Sequence, residues 1–144
     1  PEEWNITVCV PDYELSTDIS RSVLPKEVPM ADAVFNAKRL GMFVHAVHTK
    51  DAELMKLALQ DKLHQPYRMK LVPGLDKIME NLKHEENVLG CVLSGAGPSI
   101  IIISLKNGLD KIKSIVKDTW EDMNVKVNIM TLPVEQQGAQ VISE

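Results

Sequence analysis

The chain has 144 residues, 44% of them hydrophobic and 25% charged, enough for one globular domain with a real core, and this balance excludes a disordered or fibrous chain. A formal net charge of -4, with no run of lysines or arginines, excludes an electrostatic footprint for nucleic acid or anionic lipid and points to a small molecule or a protein as partner. Cys9 and Cys91, the two cysteines, each lie in an apolar strand-like run and read as small buried hydrophobes. Without a secretory or membrane-length apolar stretch, the chain is expected in the cytoplasm and off any membrane. It begins at Pro1 with no initiating methionine, which reads as a piece of something longer.

Ile6 to Val10 alternates Ile6, Val8 and Val10 with Thr7 and Cys9, the period of a strand, and Pro11 ends it. Ser16 or Thr17 caps a short helix through Ser22, with Asp18 near its positive end, until Pro25 and Pro29 break the pattern. From Met30 to His48, Ala33, Ala37, Leu40, Val44 and Val47 recur at helical spacing, so this longest helix is expected to be the central core helix, with Gly41 a mild weakness. Asp51 caps another short helix, with an apolar stripe of Leu54, Leu57 and Ala58.

A turn at Pro73-Gly74 opens a helix whose Leu75, Ile78, Met79 and Leu82 face inward. Val88 to Leu93 and Ile100 to Leu105 read as buried strands. Asn107-Gly108 leads into a helix marked by Leu109, Ile112 and Val116, with Lys111, Lys113 and Lys117 on its wet face. Val125, Val127 and Ile129 alternate as a last main strand, and Ala139 to Ile142 is expected to add a short edge strand. This order predicts one domain over residues 1–144 of the α+β class, a ferredoxin-like antiparallel sheet with helices packed on one face. The exposed edge of such a sheet is open to pairing with a second copy, hence to a homo-oligomer.

Between the two central strands lies Leu93-Ser94-Gly95-Ala96-Gly97-Pro98-Ser99. Its glycines let the backbone take positive φ and approach a ligand closely, so the loop suits either an anion cradle or a plain tight hairpin. Arg21 and Arg68 each follow a turn-prone stretch outside any charge ladder; two converging guanidinium forks would make an anion clamp, and two surface ion pairs are the alternative. His45 and His48 share a helical turn without a third ligand in register, so no metal site is expected there, and His64 fits a hydrogen-bonded turn as well as a site. No serine or cysteine stands in the local context that activates a hydrolytic nucleophile.

These motifs together resemble the GHMP kinases, and the homoserine kinases among them. The glycine loop from Leu93 to Ser99 is similar to the family's third signature. The further similarities are Val10-Pro11-Asp12-Tyr13-Glu14-Leu15-Ser16-Thr17, Arg21-Ser22-Val23-Leu24-Pro25 and Asp61-Lys62-Leu63-His64-Gln65-Pro66-Tyr67-Arg68. Ile19-Ser20 stands where the family often has an acidic residue and alanine.

The resemblance runs from Ile6 to about Gly138 and implies the C-terminal half of an enzyme that transfers the ATP γ-phosphate to the hydroxyl of L-homoserine, with Mg²⁺, in threonine biosynthesis. It implies that Arg21 and Arg68 hold the substrate, that Thr17 lies close to the reacting groups, and that Ser94, Gly95, Ala96, Gly97 and Ser99 support the phosphate loop. The loop that wraps ATP and the carboxylate that holds magnesium belong to the family's N-terminal domain. The resemblance therefore implies that domain as partner and an inactive chain without it. Another small-molecule GHMP kinase, or a non-catalytic amino-acid-binding regulatory module, are the alternatives.

Overall fold

In the computed structural model, which describes residues 2–134 and 136–142, the strands β1 (Trp4–Pro11), β2 (Val88–Leu93), β3 (Ile100–Leu105) and β4 (Val127–Leu132) form one antiparallel sheet in the order β2-β3-β1-β4. Cys9 stands opposite Ile100 on one side and Ile129 on the other, so β1 is fully paired at its centre. Pro11 still pairs with Val127 as the last rung, and the strand runs one residue further than the sequence pattern gives.

Among the described residues six α-helices accompany the sheet, with a 3-10 turn at Met69–Leu71. They are α1 (Thr17–Ser22), α2 (Met30–Thr49), α3 (Ala52–Ala58), α4 (Gln65–Arg68), α5 (Leu75–Lys83) and α6 (Leu109–Glu121). Ser16 Oγ accepts the Asp18 amide at 3.2 Å to start α1, and Asp51 Oδ1 accepts the Leu54 amide at 2.9 Å to start α3, both as side-chain N-caps.

The ferredoxin-like unit is β1, α5, β2, β3, α6, β4, and its two helices lie on one face of the sheet. Leu75, Ile78 and Leu82 of α5 and Ile112, Val116 and Trp120 of α6 are fully buried there with Cys9, Ile100 and Ile102. Each such side chain contributes about 1.5–3 kcal/mol by leaving water. Trp120 also donates its Nε1–H to the Pro73 carbonyl at 2.9 Å, so its polar edge is satisfied inside the core.

Helices on one face only describe this unit and not the whole chain. The long segment between β1 and α5 places α2 and α3 on the opposite face, where Ala46, Met55 and Ala58 cover Trp4, Leu89 and Ile103. Strand alternation requires this arrangement, because Trp4 and Ile103 point away from the side that Cys9 and Ile102 occupy.

The long helix α2 is not a central core helix. Of the residues expected to face inward, Leu40 is 67% and Val44 62% exposed, and Val47 is exposed as well. The helix instead buries Ala46, with Met42 and Phe43 half covered. In α3 the buried residues are Met55 and Ala58, while Leu57 faces solvent. Ala139 to Ile142 forms no strand: Val141 and Ile142 are 98% and 87% exposed. Among the described residues no helix is long and apolar enough to cross a membrane.

Candidate functional site

The loop between β2 and β3 is a hairpin turn closed on itself. The Ser94 amide donates to the Ser99 carbonyl at 2.8 Å, and the Gly97 amide to the Ser94 carbonyl at 3.1 Å. Gly95 and Gly97 adopt φ of +60° and +86°, a region that glycine enters without steric cost, and the Gly97–Pro98 peptide is cis. An added Cβ at Gly97 would meet Leu93 at 3.3 Å, whereas one at Gly95 would meet nothing within 4 Å. The Gly97 side of the turn is therefore packed and the Gly95 side open.

Arg68 reaches that open side. Its Nε–H donates to the Ser20 carbonyl at 3.0 Å and its Nη1–H to the Gly95 carbonyl at 3.1 Å, so one guanidinium bridges α1 and the glycine turn. Nη2 has no partner among the described residues. Arg68, Gln65, Asp61 and Gly95 line a hollow of about 320 Å³. Thr17, at the start of α1, lines a neighbouring hollow of about 580 Å³ with Tyr13, Pro98 and Ser99. Arg21 is exposed in the last turn of α1 and lines neither hollow. It adjoins the arrangement through Ser20, its buried neighbour, whose carbonyl holds Arg68. A larger hollow of about 880 Å³ runs along the outer edge of β2 between α3 and α5; it shares Asp61 and Gln65 with the Arg68 hollow, and Thr17, Arg21 and Arg68 do not line it.

Two residues of the Asp61–Arg68 motif to which the sequence assigns no role hold this geometry. Gln65 Oε1 accepts the Leu93 amide at 3.0 Å, tying α4 to the end of β2. Asp61 accepts hydrogen bonds from the amides of Leu63, His64 and Gln65 and from the Asn36 side chain. Burial alone pushes the Asp61 carboxyl up, but the bonds from Asn36, Gln65, His64 and Leu63 outweigh it and hold the group below the usual carboxylate value. An aspartate just ahead of a helical turn with proline near its start was the available sequence signal.

His64 is exposed, with Nδ1 3.5 Å from Asp61 Oδ1. His45 and His48 are exposed on α2, and among the described residues no three of His, Cys, Asp or Glu come together as metal ligands. Both cysteines are free and buried; burial raises Cys9 to about 12, and burial with the nearby Cys9 raises Cys91.

A glycine turn braced by an arginine from another element is an arrangement suited to holding an anion, and comparison with known proteins gives it a family. The family described as GHMP kinases C terminal matches residues 43–122, more than half of the chain, and the chain belongs to that family. Within it, homoserine kinases are the similar proteins. That of Caldicellulosiruptor bescii is 42% identical over 99% of this chain and 47% of its own length, and that of Aquifex aeolicus 40% over 99% and 48%. The crystal structure of homoserine kinase from Cytophaga hutchinsonii matches with a TM-score of 0.89 at 30% identity, over 99% of this chain and 45% of that one. The chain thus spans about half the length of the curated relatives it matches.

Proposed function

We propose that the chain is the substrate-side half of an ATP-dependent homoserine kinase, which transfers the ATP γ-phosphate to the hydroxyl of L-homoserine. The seat of Arg68 is the observation that carries this reading. Two of its donors are spent on the Ser20 and Gly95 carbonyls, which fixes the guanidinium plane and leaves the Nη2 edge for a carboxylate. Arg21, next to Ser20, supplies the second positive charge. Thr17 lies toward the reacting groups, beside Ser99, and Ser94, Gly95, Ala96 and Gly97 form the wall against which the phosphate loop of the other half rests. Phosphoryl transfer depends on positioning and charge stabilisation more than on covalent chemistry, which suits a rigid arginine and a rigid turn.

ATP and Mg²⁺ are assigned to the N-terminal half. Among the described residues of this chain no three of His, Cys, Asp or Glu come together, and no step is assigned to a metal here. That half is also the occupant we assign to the exposed apolar residues on this side of the molecule, Leu40 and Val44 of α2 and Val10, Met130 and Leu132 of the sheet. The relatives' doubled length and the C-terminal description of the matched family support this assignment.

The test is a coupled assay. The full-length protein carrying this chain phosphorylates homoserine, and the 144-residue chain alone does not; turnover by the chain alone would sink the reading. In the full-length protein Arg68→Ala raises KM for homoserine about tenfold to a hundredfold, the range expected for losing a charge-assisted contact. An unchanged KM removes Arg68 from substrate binding.

A further inference from the structure

We infer that Asp61 is a positioning residue for the substrate-binding arginine: by gathering three backbone amides it sets the single turn that aims Arg68 at Ser20 and Gly95, and through Asn36 it ties that turn to α2. The inference rests on the reading that Arg68 binds substrate.

The helix α4 cannot hold itself. It is four residues long, below the length at which helical hydrogen bonds sustain a helix, and none of its side chains is fully buried. What fixes it is polar. Asp61 Oδ1 accepts the Leu63 amide at 3.1 Å, Oδ2 accepts the His64 amide at 2.8 Å, and the Gln65 amide also donates to Oδ2. His64 is the N-cap of α4 and Gln65 its first residue, so two of these donors are amides that a helix start leaves unpaired, and the Leu63 amide precedes them. Asn36 completes the arrangement in both directions: its Nδ2 donates to Asp61, and its Oδ1 accepts the Lys62 amide at 2.9 Å.

On the other side of the turn, Gln65 holds Leu93, and Arg68 holds Ser20 and Gly95. Asp61 is therefore the support from α2, and the two side chains of α4 are the supports from the sheet and from α1. With the Asp61 support gone, the turn retains its contacts to the site but its amides lose the acceptor that orients them. A guanidinium displaced by an ångström at a binding site is enough to cost a large factor in a substrate constant.

The experiment is a double-mutant cycle on the full-length protein, with Asp61→Asn beside Asp61→Ala so that a folded variant is available. Asp61→Ala raises KM for homoserine about ten- to a hundredfold and Asp61→Asn less, with KM for ATP unchanged and kcat altered by less than about threefold. In an Arg68→Ala background the same Asp61 substitutions add less than about twofold, because the arginine they act through is gone. An equal rise in both backgrounds, or no rise in the parent, overturns the inference.

If Arg68→Ala itself leaves KM unchanged, the kinase reading of Arg68 fails, and nitrogen-15 spectra of the Arg68 side chain decide the positioning claim. The Nε–H exchanges slowly with solvent in the parent and fast in Asp61→Asn if Asp61 sets the turn. Equal exchange rates overturn it.

Discussion

The two faces of the sheet are finished to different degrees. Under α5 and α6, Leu75, Ile78, Ile112, Val116 and Trp120 are at most 1% exposed. Under α2 and α3, cover stops short: Val10, Met130 and Leu132 remain 36%, 37% and 44% exposed, beside an α2 stripe in which Met30 reaches 78%. The cause lies in the helices. In α6, Ile112, Val116 and Trp120 recur every four residues and form one stripe, all of which the chain buries. In α2, apolar residues stand around much of the circumference, so burying Ala46 against the sheet leaves Leu40 and Val44 outside. One face is a self-sufficient core, and the other keeps apolar residues uncovered, the face proposed above to meet the N-terminal half.

That contrast breaks most severely at Trp120. Trp120→Ala removes a fully buried ring and the bond to Pro73, and costs about 3–5 kcal/mol, read as a lower urea midpoint at constant slope. Next is Gly97→Ala, which forces a side chain into φ of +86° against Leu93 and costs about 1–3 kcal/mol. Gly95→Ala, where the added group meets open space, costs less, and the difference between the two denaturation curves measures the packing at the turn.

The sealed face is sharpened by its thiols. Because burial raises Cys9 to about 12, the unfolded chain releases that proton first as pH rises. The associated stability is intact below the ordinary thiol value and is lost between that value and about 12. Denaturation midpoints therefore fall on the alkaline side, less so in Cys9→Ala, and thiol reagents label the native protein no faster than it opens. The smallest effect falls on the open face: Val44→Ser changes the stability of the chain alone by less than about 0.5 kcal/mol. In the full-length protein the same change lowers the denaturation midpoint, and an equal, negligible shift in both would remove α2 from the interface.

Much of the fold was legible. The bounds of β2 and β3 follow from β-branched runs stopped by turn residues, and the inward face of α5 from its spacing. In α6 the expected stripe of Leu109, Ile112 and Val116 ends one turn short of Trp120, the helix's largest buried residue. The inward face of α2 differs from the expected one because a helix apolar on several sides has no unique buried direction until its neighbours are in place. The expected edge strand at 139–142 failed because alternation alone supplies no partner.

At the site, the motifs were visible in sequence and the supporting roles of Asp61 and Gln65 within them were not. Arg68 and the glycine turn stand out as residue types, and the structure brings them together at 3.1 Å. Asp61 and Gln65 act on backbone amides nearby or 28 residues away, and a carboxylate or carboxamide doing this looks in sequence like any solvated polar side chain. The relation of Arg21 to Arg68, through the carbonyl of Ser20, likewise exists only once the chain is folded.

Gln65 has a second consequence. β2 is a border strand of the sheet, and by occupying the Leu93 amide Gln65 closes the rung nearest the turn to any incoming strand, while Leu59 lies directly over Gly90 further along. A strand from another molecule would have to evict the side chain that anchors α4. Pairing of a further strand at this rung and the Gln65 anchor of α4 therefore exclude each other.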